Sequence, residues 1–207
     1  MIPISDIITR SISGYIFMIP ILVLFFIYLH KTGRKQSILH MGATFIFCYY
    51  LFGVLTVTGI GYTNSIRFRP NISWTPFIGM ITGPVDTALN IFLFIPFGLF
   101  LPLLFKKFNN IKATALAGLL FSLSVELVQL FNWGSSDIND LMTNTGGACI
   151  GYLIYCLLAK VLPSKLKKQL QAKHFNSNVL FGLYVICTFV IMVTGQRWVV
   201  HGLLNIP

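Results

Sequence analysis

Six apolar runs dominate this chain and constrain it more than any other feature. They occupy residues 12–29, 38–58, 88–105, 113–131, 141–162 and 178–194. A bilayer core about 30 Å thick is crossed by about 20 residues of helix at 1.5 Å per residue. Lipid offers the backbone no hydrogen-bond partners, so each run must satisfy its own N–H and C=O groups as a helix. The predicted fold class is all-α: a polytopic membrane helix bundle of about six transmembrane helices, with residues 1–207 forming a single transmembrane domain. The first run is not read as a signal peptide. It is long, lacks a small-residue cleavage pattern, and is followed by the basic stretch His30-Lys-Thr-Gly-Arg-Lys35. Only 10% of residues are charged and 56% are hydrophobic, against roughly 25% charged in an ordinary soluble domain. A soluble enzyme of this size is excluded.

The charges are unevenly placed. Fifteen Lys and Arg stand against five Asp and Glu, a net +10. The positives sit between apolar runs and form no nucleic-acid patch, so they read as membrane topology and no nucleic-acid partner is expected. Eleven of the fifteen fall in the first, third and fifth connections or just beside them: Lys31, Arg34 and Lys35; Lys106, Lys107 and Lys112; Lys160, Lys165, Lys167, Lys168 and Lys173. The excess of Lys and Arg on the cytoplasmic side of membrane proteins puts these loops in the cytoplasm and both termini outside. The remaining positives, Arg10, Arg67, Arg69 and Arg197, flank the spans on the outer side.

Four cysteines, Cys48, Cys149, Cys156 and Cys187, lie inside apolar stretches without a C-x-x-C spacing, so neither a disulfide scaffold nor a zinc site is expected. The second connection, residues 59–87, is too long for a tight turn. It mixes Arg67, Arg69, Trp74, Pro76 and Phe77. It reads as an outer loop, re-entrant or interfacial, with aromatic anchoring at the headgroups as the plainer alternative.

The acids carry the functional reading. In the fourth span Ala115, Gly118, Ser122, Glu126 and Gln129 fall on one face at about 100° per residue. Glu126 sits about 7.5 Å below the outer end at 1.5 Å per residue. A carboxylate at that depth is costly and marks either a functional site or a polar contact between helices. In the fifth span Asp137, Asp140, Asn144, Gly147 and Gly151 form a second stripe, spaced by three and four residues. An Asp at a helix start caps free N–H groups, which accounts for one of the pair. The lower Gly147-x-x-x-Gly151 surface admits another helix closely. In the third span Asn90 shares a face with Phe94, Phe97 and Leu101, above Pro96 and Pro102. Asn90, Glu126, Gln129, Asp137, Asp140 and Asn144 are therefore expected to meet in an outward-facing polar pocket.

Several segments together resemble the VanZ-like membrane protein family. They are Asn71-Ile-Ser-Trp-Thr-Pro76-Phe77, Asn90-Ile-Phe-Leu-Phe-Ile-Pro96-Phe-Gly98, Glu126-Leu-Val-Gln129 and Asp137-Ile-Asn-Asp140-Leu-Met-Thr-Asn144-Thr-Gly-Gly147. The resemblance covers about residues 70–155, the expected core of the domain. It implies a bacterial cytoplasmic membrane and a link to resistance against teicoplanin, a lipid-tailed glycopeptide acting at the outer face of Gram-positive membranes. Three residues before Asp137, where the family usually carries Arg, this chain has Gly134. Arg67, Arg69 or Arg197 then takes that Arg's place, or the site differs.

Three functions follow. In the first, the pocket of Asn90, Glu126, Gln129, Asp137, Asp140 and Asn144, with Arg67 and Arg69, binds a lipid headgroup, a cell-wall precursor or a lipoglycopeptide without catalysis or cofactor. In the second, a membrane enzyme acts on a lipid-linked phosphate, with Glu126, Asp137 and Asp140 as catalytic candidates and a divalent cation on Asp137 and Asp140. The third is a small transporter or flippase built around Glu126 and the proline-broken helix. The lack of a clear nucleophile–base pair favours the first. The sequence sets no oligomeric state.

Overall fold

In the computed structural model, residues 3–61, 68, 72–73, 75–131, 136–173 and 176–203 are described. Six helices in it are long and apolar enough to cross a bilayer. The chain divides into two compact units, Met1–Ile66 with Ala172–Pro207, and Arg67–Gln171.

The first unit is built on helices α1 (Ile4–Lys31), α2 (Ile38–Val57) and α8 (Ser177–Val193), followed by the short α9 (Gly195–Arg197) and a wide helical turn over Trp198–Leu203. Helix α1 begins well before its apolar run, so Arg10 lies inside the helix and not in a flanking segment as expected. The reason is local. Asp6, one turn earlier, accepts from Arg10 Nε at 3.1 Å, and Nη1 lies 3.5 Å from the Gly61 carbonyl. With its charge paired, Arg10 is only 2% exposed. Tyr15 links α1 to α2, donating to the Phe45 carbonyl at 2.9 Å and meeting Tyr49 and Phe52 edge-on. Helix α2 starts where Ser37 caps the His40 N–H. Gln36 clamps the preceding turn to the segment before α8, donating to the Lys173 carbonyl at 2.7 Å and accepting from its N–H at 3.0 Å.

The second unit holds α4 (Pro84–Leu104), α5 (Ile111–Gln129) and α6 (Ile138–Val161), with the short α3 (Ile78–Thr82) and α7 (Ser164–Leu170) at their ends. Proline at the first position of α4 suits a helix start, since its missing N–H would be unpaired there anyway. Asn110 caps α5 and Asp137 caps α6, each accepting from an N–H two residues on. Two short strands, β1 (Ile72–Ser73) and β2 (Ser136–Asp137), pair in parallel, Ile72 opposite Ser136. Asp86, Glu126, Asp137 and Asp140 mark one end of these helices. The opposite end, where α4 turns into α5 and α6 into α7, carries the lysines.

Packing of α5 and α6 departs from the pattern of a soluble bundle. The buried face of α6 is polar or small from Asn139 through Thr143, Asn144, Gly147 and Ala148 to Gly151, with Tyr155 beyond, while Leu153 and Leu157 stay exposed. Helix α5 likewise buries Gly118, Ser122 and Glu126 and exposes Leu116, Leu120 and Leu127. Where the surroundings are hydrocarbon, apolar side chains lose nothing by facing outward, and helices associate through small residues and interhelical hydrogen bonds. At the α4–α6 contact a Cβ on Gly98 would collide with the Ala148 carbonyl, and one on Gly151 with the Ile95 carbonyl. The two backbones touch because neither position carries a side chain. Phe94, Phe97 and Phe121 fill the space beside this contact, the last two stacked at 5.0 Å.

Candidate functional site

The acidic end of the second unit collects most of the polar residues expected from helical spacing. The start of α6 is its hub. Asp140 Oδ1 accepts from Asn90 Nδ2 of α4 at 2.6 Å. Glu126 of α5, 5% exposed, accepts from the Asp137 N–H through Oε2 at 3.1 Å. One turn deeper, Asn144 donates through Nδ2 to Ser122 Oγ at 2.9 Å. Side chains thereby tie α6 to α4 and to α5, the latter at two successive levels. Gln129 is half-buried one turn beyond Glu126.

Asp137 divides its work. Its Oδ1 accepts from the Asn139 N–H at 2.9 Å as a helix cap and from Asn139 Nδ2 at 2.7 Å. The capping role anticipated for one of the two aspartates belongs to Asp137, which leaves Asp140 as the acid directed to another helix. Arg67, Arg69 and Gly134 lie outside the described residues.

Asn139 was missed by the spacing argument and is central to the geometry. It is 4% exposed. Its Oδ1 accepts from the Phe77 N–H at 2.7 Å, and its Nδ2 donates to the Thr75 carbonyl at 3.1 Å. This holds the end of the long connection against the start of α6, with Phe77 in a left-handed conformation at φ 67°. The β1–β2 pairing and the Phe68–Phe131 ring contact at 5.2 Å hold the same connection at two further points. Asn139 lies off the three-and-four stripe, and its partners are distant in sequence. The signal was its place between two aspartates at a helix start.

Beside this cluster a cavity of about 170 Å³ opens between the ends of α5 and α6. Leu123, Leu127, Leu130, Ile138 and Leu141 supply its walls, Glu126, Ser136 and Asp137 border it, and its surface is almost wholly apolar. The Ser136 hydroxyl donates to the Glu126 backbone carbonyl at 3.0 Å. Among the described residues no three His, Cys, Asp or Glu side chains draw together as a metal site. Asp137 and Asp140 stand one turn apart on α6, each already accepting from an amide. Chemically, the cavity suits an apolar chain, with the buried Glu126 and Ser136 close beside it.

Six helices long and apolar enough to cross a bilayer define a multi-pass integral membrane protein. The VanZ/LLP1 family model matches residues 15–159, and the chain belongs to that family. The match takes in α1 and α2 as well as the 70–155 segment that carries the motifs. A curated relative, Protein VanZ of Enterococcus faecium, is 39% identical over 97 residues, which are 46% of this chain and 58% of the relative. The matched part thus spans less than two-thirds of that relative's length. No solved structure matches the chain.

Proposed function

We propose that this VanZ-family protein sits in a bacterial cytoplasmic membrane with its lysine-rich loops in the cytoplasm. The acidic end of its second unit would then bind an amphiphile in the outer leaflet. Its ligand is a lipid headgroup, a lipid-linked cell-wall precursor or a lipoglycopeptide, and the outcome is reduced sensitivity to teicoplanin. One observation carries this reading: a cavity walled by leucine and isoleucine lies beside the buried Glu126. A carboxylate is expensive at a lipid-facing depth, and a purely structural contact between helices needs no adjacent apolar cavity. In this reading Asn90, Asp140, Asn144 and Gln129 supply further polar contacts at the same end of the unit, joined by Arg67 and Arg69 of the long connection.

The test is the inhibitory concentration of teicoplanin and of vancomycin for a susceptible Gram-positive host. The host expresses wild type, Glu126→Gln or Asp140→Asn at equal abundance. The reading expects a rise for teicoplanin alone in the wild type, lost in Glu126→Gln. An unchanged value with wild-type protein present contradicts it.

A further inference from the structure

The lysine-rich end of the second unit contains a cavity of its own, remote along the helices from the acidic cluster. Its volume is about 350 Å³, within the range of roughly 300–1,000 Å³ typical of ligand pockets. It lies between the end of α6, the short helix α7 and Asn109. Tyr155 and Ala159 form its floor, and Asn109, Ser164, Lys167 and Lys168 surround it with donors. No carboxylate lines it, and all five acids of the chain lie elsewhere. The lysine bias of cytoplasmic loops explains why cations gather at such an end. It does not explain a cavity.

Two hydrogen bonds build that cavity. Lys167 Nζ donates to the Ala159 carbonyl at 2.7 Å, satisfying one of the last carbonyls of α6 and placing its ammonium at the negative end of the helix. Gln171 Nε2 reaches the Pro102 carbonyl of α4 at 3.5 Å. These contacts hold α7 across the helix ends instead of letting it extend into solvent. Lys168, exposed on the next position of α7, is left at the rim of the cavity, with the Asn109 carboxamide on another side.

The geometry points to a binding site for the phosphate headgroup of an anionic phospholipid at this end of the second unit. The phosphodiester accepts from Lys168, Asn109 and the remaining N–H groups of Lys167. Basic pockets at helix ends bind anionic headgroups by this combination of charge and depth. The cavity's place at the end of a helix long enough to cross a bilayer favours a lipid headgroup over a free phosphate ion.

Full-length protein in detergent is titrated with phosphatidylglycerol or phosphatidylcholine, and retained lipid is read by native mass spectrometry. Wild type is expected to hold phosphatidylglycerol more tightly. Lys168→Gln should weaken that binding roughly fivefold, the usual effect of one cation near an anionic lipid. Asn109→Asp, which puts a carboxylate at the rim, should weaken it too. Both side chains are exposed, so folding is not at stake. Lys165→Gln, on the same helix but away from the cavity, should leave binding unchanged. Equal retention of the two lipids overturns the proposal. So does an equal loss in Lys165→Gln and Lys168→Gln, which would mean diffuse surface charge. Displacement of phosphatidylglycerol by inorganic phosphate at equal concentration would make the site one for free anions and overturns the assignment to lipid.

Discussion

Asn90 on α4 and Asp140 on α6 are joined by a hydrogen bond of 2.6 Å, between two helices whose backbones meet through glycine a few turns away. The bond and the glycine contact depend on each other. Close approach brings the carboxamide within reach, and the carboxylate fixes the rotation of α6 that points Glu126's partner, the Asp137 N–H, toward α5.

Loss of either partner should therefore loosen the unit measurably. Asn90→Ala leaves the half-buried Asp140 carboxylate without its donor and should cost roughly 0.5–2 kcal/mol, the range for interhelical hydrogen bonds in membranes. Asp140→Asn keeps shape and an acceptor and should cost less. Thermal unfolding of the detergent-solubilised protein measures both, and equal stability of all three proteins would show the bond to be inconsequential.

The glycine contact should be less forgiving. Gly98→Ala or Gly151→Ala places a methyl group against a backbone carbonyl of the facing helix, and overpacking of this kind costs about 1–3 kcal/mol or more. Gly146→Ala, with nothing within 4 Å of the added carbon, should be neutral. Monodisperse yield after size-exclusion chromatography separates the two cases. A normal yield for Gly151→Ala would contradict the packing described.

These two features differ in how far the sequence disclosed them. Six spans were legible because the apolar runs have bilayer length and the lysines alternate between connections. Asn90, Glu126, Asp140 and Asn144 were legible because spacings of three and four put them on inward faces, and the Gly147/Gly151 surface was legible for the same reason. Arg10 was misplaced because a pairing one helical turn away, to Asp6, let α1 continue through a charged residue that reads as a flank. Helix α7 was not anticipated: a seven-residue segment with three lysines carries no clear periodicity, and it is held by two long side chains reaching distant carbonyls. Asn139 escaped for a related reason, since its value lies in partners more than sixty residues upstream.

Asn139 provides a direct test of how the long connection is held. Asn139→Ala removes the bonds to Phe77 and Thr75 and should release that segment, whose left-handed Phe77 then has less to hold it. Limited proteolysis should cut within residues 72–82 faster than in wild type, by about tenfold for a loss of roughly 1.4 kcal/mol. Cleavage at an unchanged rate would mean that the β1–β2 pairing alone suffices.

The proposed sidedness has its own check. An impermeant maleimide applied to intact cells should label Thr75→Cys, and should label Lys107→Cys only after permeabilisation; wild type, whose four cysteines lie within helices, is the background. The opposite pattern would put the acidic end in the cytoplasm and remove the basis for an outer-leaflet ligand.

Equilibrium binding bears most directly on the central claim. Full-length protein in nanodiscs would be titrated with teicoplanin and, separately, with a lipid-linked cell-wall precursor, comparing wild type with Glu126→Gln and Leu127→Trp. Gln keeps an acceptor for the Asp137 N–H while removing the charge, and Trp at position 127 fills the cavity. The account predicts saturable binding of at least one ligand, weakened on the order of tenfold in Glu126→Gln and abolished in Leu127→Trp, with thermal stability unchanged. Binding of neither ligand by wild type, or equal binding by all three proteins, would contradict it and leave Glu126 as a contact between helices.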